Sequence, residues 1–207
     1  MSTMARTRRS PRSAHARRIA MRRRVALLLA AVAVVAGSSS VLLPEVDDAV
    51  QEVTLPLRHE DIIRQQADDK KLDPALIAAV IYAESRFRDA TSHAGARGLM
   101  QITPQTADEI ARRSGGTEFQ QGDLAQPQIN ISYGSWYLSW LMRRYGENEM
   151  LAVAAYNAGT GNVDKWIAQN PDMLASEIPF PETRHYVAQV LSVRDDYERS
   201  YARELGI

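Results

Sequence analysis

From residue 58 to the C-terminus the apolar residues recur at spacings of three and four, and no stretch alternates apolar with polar as a half-buried strand does. Such a chain folds mainly into helices. Asp73-Pro74 sets an N-cap before a proline at the first helical position, and Thr103-Pro104 repeats the device. Ile129, Tyr133, Trp136, Tyr137, Trp140 and Leu141 share helical spacing, which predicts an aromatic helix with this stripe in the core, ending at Tyr145-Gly146. Short helices are expected over 149–157, stopped at Gly159, and over 163–169, with one long closing helix over 182–205.

The helix opening at Asp73 carries Ile77, Val80 and Ile81 on one face, and the same spacing continues to Glu84. Leu76, Ala78, Ala79, Tyr82 and Ala83 are also apolar or aromatic, so this carboxyl is predicted to be poorly solvated, which favours its neutral form. A carboxyl kept protonated near neutral pH is what a general acid requires. The plainer alternative is a helix end paired with Arg86 or Arg88, although a glutamate at a C-terminus faces the unfavourable end of the helix dipole. Gly95 to Thr103 sets two glycines against an apolar run with one amide, Gln101, which suggests a bend that a ligand approaches closely. Tyr156-Asn157-Ala158-Gly159 ends a helix with a phenol and an amide, and at the start of the last helix Thr183, Arg184 or Tyr186 could face a cleft. The four histidines, His15, His59, His93 and His185, have no metal-ligand spacing, and no Ser-His-Asp pattern or phosphate-binding glycine loop is present.

Charge divides the 207 residues sharply. Nine arginines fall within the first 24 positions, no acidic residue precedes Glu45, and residues 45–207 carry 16 basic against 25 acidic side chains, a net charge near −9. An acidic domain argues against nucleic acid as a partner, since phosphate contacts need a basic face. Residues 1–24 read as a basic cytoplasmic segment or the positive part of a signal. Residues 25–43 read as an uncharged export signal or membrane anchor, with small residues suited to cleavage after Ala36. Residues 44–57 read as a linker and 58–207 as the working domain. With no cysteine there are no disulfides or thiolate sites.

Taken in order, Glu84-Ser85, Gly98-Leu99-Met100-Gln101-Ile102, Ala155-Tyr156-Asn157-Ala158-Gly159 and Glu182-Thr183-Arg184-His185-Tyr186 resemble the motifs of the soluble lytic transglycosylases, a family of peptidoglycan-cleaving enzymes. The resemblance extends from near Arg58 to the C-terminus and takes in the stretch from Asn130-Ile131 to Gly134 and that from Asn162-Val163 to Trp166. It implies a mainly α, lysozyme-like fold of the α+β superfamily: one catalytic domain behind a signal or anchor helix, with a cleft between two lobes. It implies that Glu84 protonates the glycosidic oxygen between N-acetylmuramic acid and N-acetylglucosamine, then takes the proton of the muramoyl 6-hydroxyl, leaving a 1,6-anhydro sugar. Gln101 and Asn157 would hold sugar or acetamido oxygens, Tyr186 would orient Glu84, and Ser85, Met100 and Tyr156 would complete the substrate site. Glu182 is expected in a structural ion pair. No metal or organic cofactor is implied.

The expected partners are peptidoglycan glycan strands, the membrane if residues 25–43 are retained, and an envelope-machinery protein; the expected location is extracytoplasmic. With water as acceptor the same residues would make a muramidase of goose-lysozyme type. A third alternative is a wall-binding module without catalysis.

Overall fold

The protein is described by a computed structural model over residues 53–92, 95–115 and 119–207. The segments 1–24 and 25–43 and most of the linker 44–57 lie outside the described residues, and the signal and anchor readings with them. Among the described residues no helix is long and apolar enough to cross a membrane. A compact unit runs from Leu55 to Ile207, three residues ahead of the expected boundary. Leu55 and Leu57 pack against its core, while Tyr201 Oη donates to Leu55 O at 2.8 Å and Tyr197 Oη to Pro56 O at 2.5 Å.

The described residues from Glu60 onward form the α-helices α1 (Glu60–Lys70), α2 (Pro74–Ser85), α3 (Pro104–Ser114), α4 (Pro127–Arg144), α5 (Glu149–Ala158), α6 (Thr160–Gln169), α7 (Pro181–Ser200) and α8 (Ala202–Leu205). Single turns of 3₁₀ helix lie at Gln121–Ala125 and Ala175–Glu177. The caps act as the sequence predicts. Asp73 Oδ1 accepts from Ala75 N at 2.8 Å and Thr103 Oγ1 from Thr106 N at 3.1 Å, each with proline entering the first turn.

Helix α2 is the centre of the domain. Every residue from Ala75 to Ile81 is at most 1% exposed, so the helix is buried all round and not on a single face. Its four branched aliphatics, Leu76, Ile77, Val80 and Ile81, each contribute about 1.5–3 kcal/mol by leaving water. Helices α1 and α7 pack directly on it, α5 joins α7 to α4, and α4 returns to α1.

Three expectations need correction. The α+β class is not realised among the described residues: the 88–103 segment forms only isolated antiparallel bridges, Thr91 with Arg97 and Arg97 with Ile102. Gly95, Gly98 and Gln101 adopt φ of 79°, 74° and 46°, which interrupts extended backbone before a strand can form. The closing helix breaks at Tyr201 (φ −133°), whose backbone leaves the helical region and whose hydroxyl donates to Leu55 O. On α4 the fully buried positions are Asn130, Ile131, Ser135, Leu138 and Leu141, while Tyr133, Trp136, Tyr137 and Trp140 stand at the margin. The aromatic stripe therefore flanks the core instead of filling it. Tyr137 stacks on Trp140, ring centroids 5.8 Å apart, and meets Tyr156 at 5.6 Å.

Candidate active site

Glu84 is the penultimate residue of α2, and the chain reverses just beyond it through two consecutive non-glycine residues with positive φ, Arg86 (51°) and Phe87 (58°). A buried Phe87 side chain, 6.1 Å from the Tyr197 ring, anchors that unfavourable backbone. The Glu84 carboxyl is largely but not wholly buried. Burial pushes its pKa up to about 7, against an opposing contribution from Tyr186, whose hydroxyl donates to Glu84 Oε1 at 2.6 Å. No ion pair reaches Glu84 among the described residues: Arg86 instead lies over the Tyr82 ring at 5.6 Å, so the plainer reading of a paired helix end does not hold. Both Tyr186 and Tyr156 are held well above the ordinary phenol range, first by burial and then by the charge of Glu84. They remain neutral hydrogen-bond donors.

Beside this helix end the 97–102 loop is secured through its backbone. Ser85 Oγ lies 2.7 Å from Leu99 O and 3.1 Å from Ile81 O, so its single proton is spent on main-chain carbonyls. Asn130, fully buried on α4, accepts from Met100 N at 2.8 Å and donates to Arg97 O at 2.9 Å and Leu124 O at 3.0 Å. Tyr156 Oη donates to Met100 O at 2.9 Å. Both peptide groups of Met100 are thus held by side chains from two different helices.

Two glycines make this fit possible. A Cβ on Gly98 would fall 2.2 Å from Asn130 Nδ2, and one on Gly134 would fall 2.3 Å from Met100 Sδ. Behind the loop, a cavity of about 190 Å³ is lined by Phe87, Gly98, Leu99, Leu124, Pro127 and Asn130. Hydrogen bonds thus fix the backbone of the loop, while the side chains of Leu99, Met100 and Ile102 are buried in the core.

Around Glu84 the fold gathers Ser85, the Met100 backbone, Tyr156 and Tyr186. Met100, expected to line the cleft, has its side chain wholly buried against Gly134. Ser85 and Tyr156, expected to meet substrate, direct their hydroxyls to the loop backbone. Gln101 Nε2 donates to Ala90 O at 2.9 Å and Gly98 O at 2.8 Å, and exposed Asn157 accepts from Thr183 Oγ1 at 2.8 Å. Thr183 is buried and so does not face the cleft; Arg184 bonds Ile178 O at 2.6 Å. Glu182 is exposed and forms no ion pair among the described residues, contrary to expectation. The clamp role of Asn130 was missed; an amide among apolar residues on a core helix is the signal that marks it.

The order of these elements and the helix-end glutamate match a known architecture. The sequence profile of the transglycosylase SLT domain matches residues 61–178. The chain belongs to the transglycosylase SLT domain family. The soluble lytic murein transglycosylase of Salmonella typhimurium is 33% identical to this SLT domain chain over 157 residues, covering 72% of it and 24% of the relative. Among solved structures, an inactive glutamate-to-glutamine mutant of the lytic transglycosylase Slt from Pseudomonas aeruginosa superimposes with a TM-score of 0.67 at 36% identity, covering 72% of this chain and 25% of that one. The 70 kDa soluble lytic transglycosylase of Escherichia coli gives 0.68 at 32% identity, with the same two coverages. The SLT domain chain thus spans about a quarter of the length of these relatives.

Proposed function

We propose that this domain is a peptidoglycan lytic transglycosylase of lysozyme-like fold acting in the cell envelope, with Glu84 as its acid and base. The observation that carries the reading is the largely buried Glu84 carboxyl, its pKa pushed up to about 7 by burial and its oxygen hydrogen-bonded to Tyr186. In its neutral form Glu84 gives its proton to the oxygen linking N-acetylmuramic acid to N-acetylglucosamine, and the bond from the muramoyl C1 to that oxygen breaks. The muramoyl 6-hydroxyl oxygen then bonds C1, and its proton passes to the Glu84 carboxylate, which restores the acid. No water is consumed. Ordinary glycosidases divide these tasks between two carboxylates, whereas here the group hydrogen-bonded to Glu84 is a phenol, which fits one glutamate serving both steps.

Support also comes from the solved relative in which a glutamate-to-glutamine change accompanies loss of activity. Tyr186 orients the carboxyl, and Gln101 on the clamped 97–102 loop and Asn157 near the end of α5 supply amides for sugar oxygens. Export or anchoring through residues 25–43 places such an enzyme on the side of the membrane where its substrate lies. The deciding experiment is mass analysis of sugars released from purified peptidoglycan by residues 45–207. Muropeptides with 1,6-anhydro ends are expected. Reducing muramic acid ends would assign a muramidase, and no release would assign a binding module.

A further inference from the structure

The cavity behind the 97–102 loop is separate from the catalytic cleft, since none of Glu84, Tyr156 and Tyr186 borders it. Its inner wall is apolar. Phe87 and Leu99 are 3% exposed and Leu124 is wholly buried, with Pro127 beside them. Asn130 adds no free donor to that wall, because both hydrogens of its Nδ2 go to the backbone, at Arg97 O and Leu124 O. At the mouth the chemistry changes. Arg58 and Asp89, both exposed, and the half-buried His59 complete the lining. Among the described residues neither charge has an ion-pair partner, and the two do not pair with each other. Two non-glycine residues of the lining, His59 and Phe87, hold φ of 59° and 58°. Backbone of that kind persists only where its surroundings enforce it, and it gathers at ligand sites.

We propose that this cavity is a binding site for a free α-amino acid with an apolar side chain of the size of leucine. A cavity of about 150 Å³ holds benzene. The 190 Å³ here therefore takes a branched aliphatic side chain and leaves the α-carbon at the mouth. There the carboxylate meets the Arg58 guanidinium, which only donates, and the ammonium meets the Asp89 carboxylate, which only accepts. A purely apolar molecule would leave both charges unused, and a small ion would leave the wall uncovered. A zwitterion with an apolar body uses both. The occupant touches Gly98 and Leu99, just before Met100 in the loop that faces Glu84. The inference goes beyond the glycan-cleaving reading and stands or falls without it.

The test titrates the ¹⁵N-labelled full chain with D- and L-leucine and follows the backbone amide signals of Gly98 and Leu99. At least one enantiomer should shift both signals to saturation. Ala125→Trp, which sets an indole at an exposed position of the lining, should abolish saturation. Arg58→Ala and Asp89→Ala should each raise the half-saturating concentration about fivefold, the scale of one partly exposed ion pair. Charges on ligand and protein should also match in pairs. Leucine methyl ester, which lacks the carboxylate, should bind the wild type about fivefold more weakly than leucine and lose nothing further to Arg58→Ala; N-acetyl-leucine, which lacks the ammonium, should behave in the same way toward Asp89→Ala. Circular dichroism and melting check each fold, and the pairing of charges reads the site by itself if Ala125→Trp does not fold. Shifts that never saturate with either enantiomer, saturation undiminished in a folded Ala125→Trp, or an ester as sensitive to Arg58→Ala as leucine is, overturns the inference.

Discussion

Helix α2 and the 97–102 loop meet at Ser85, yet they are held in different ways. The helix is surrounded by apolar atoms from Ala75 to Ile81, whereas the loop, although Leu99, Met100 and Ile102 also enter the core, has its backbone fixed atom by atom through Ser85, Asn130 and Tyr156. Apolar packing accepts a change of side chain if volume is kept. A hydrogen-bonded loop does not, because removing one partner strands the other without a substitute. The comparison separates what carries Glu84 from what faces it: a stem that depends on shape, and a platform that depends on particular polar atoms.

The largest effect is expected at the tip of the stem. Glu84→Gln should lower glycan release by more than ~10⁴-fold, since one acid–base role is worth ~10²–10⁴-fold and Glu84 is assigned two. Circular dichroism should show the fold unchanged, and release within tenfold of wild type would remove Glu84 from the reaction. On the platform, Asn130→Ala leaves Met100 N, Arg97 O and Leu124 O without their partner and should cost on the order of 3 kcal/mol in urea unfolding, with loss of turnover. A cost under about 1 kcal/mol would show the loop to be held by packing after all.

Burial of the Glu84 carboxyl has a thermodynamic signature of its own. Below pH 4.5 the folded and unfolded chains both carry it protonated, and it costs nothing. Between pH 4.5 and about 7 the unfolded chain ionises this carboxyl while the folded chain keeps its proton, so stability falls by about 3 kcal/mol across that window and levels off above it. Denaturant unfolding from pH 4.5 to pH 8 should show a fall in the wild type that Glu84→Gln lacks, and turnover should decline over the upper part of the same range as the donor form is lost. Parallel pH curves for the two proteins would contradict the enclosure of Glu84. The smallest effect belongs to the stem: Ile77→Val should cost only about 0.5–1.5 kcal/mol in stability, with KM and kcat unchanged. A kinetic change there would mean that the helix, too, is tuned atom by atom.

The helices were legible because their signals are local. Asp73-Pro74 and Thr103-Pro104 carry cap and start within two residues, and the run from Ala75 to Ile81 announces burial without reference to any other segment. Glu84 was legible for the same reason, as a carboxyl continuing an apolar helix. The loop was not, since Asn130 and Tyr156 stand 30 and 56 residues from Met100 and nothing near Met100 names them. The second task of Ser85 and Tyr156, holding the loop backbone, was hidden on that account, and the Met100 side chain, placed toward the cleft, lies in the core. The break at Tyr201 carries no local signal either, and the hydroxyl there bonds a residue 146 positions away.

The hydrogen bonds from Tyr197 and Tyr201 to Pro56 and Leu55 also determine how the domain takes mechanical load. The chain enters the compact unit at Leu55 and is moored there to the last turns of α7. Tyr186 lies eleven residues nearer the start of the same helix, about 16 Å along its axis at 1.5 Å per residue. Any pull on the segment that enters at Leu55 is therefore met by two tyrosine moorings at the far end of α7, with three turns of helix between them and the phenol that holds Glu84.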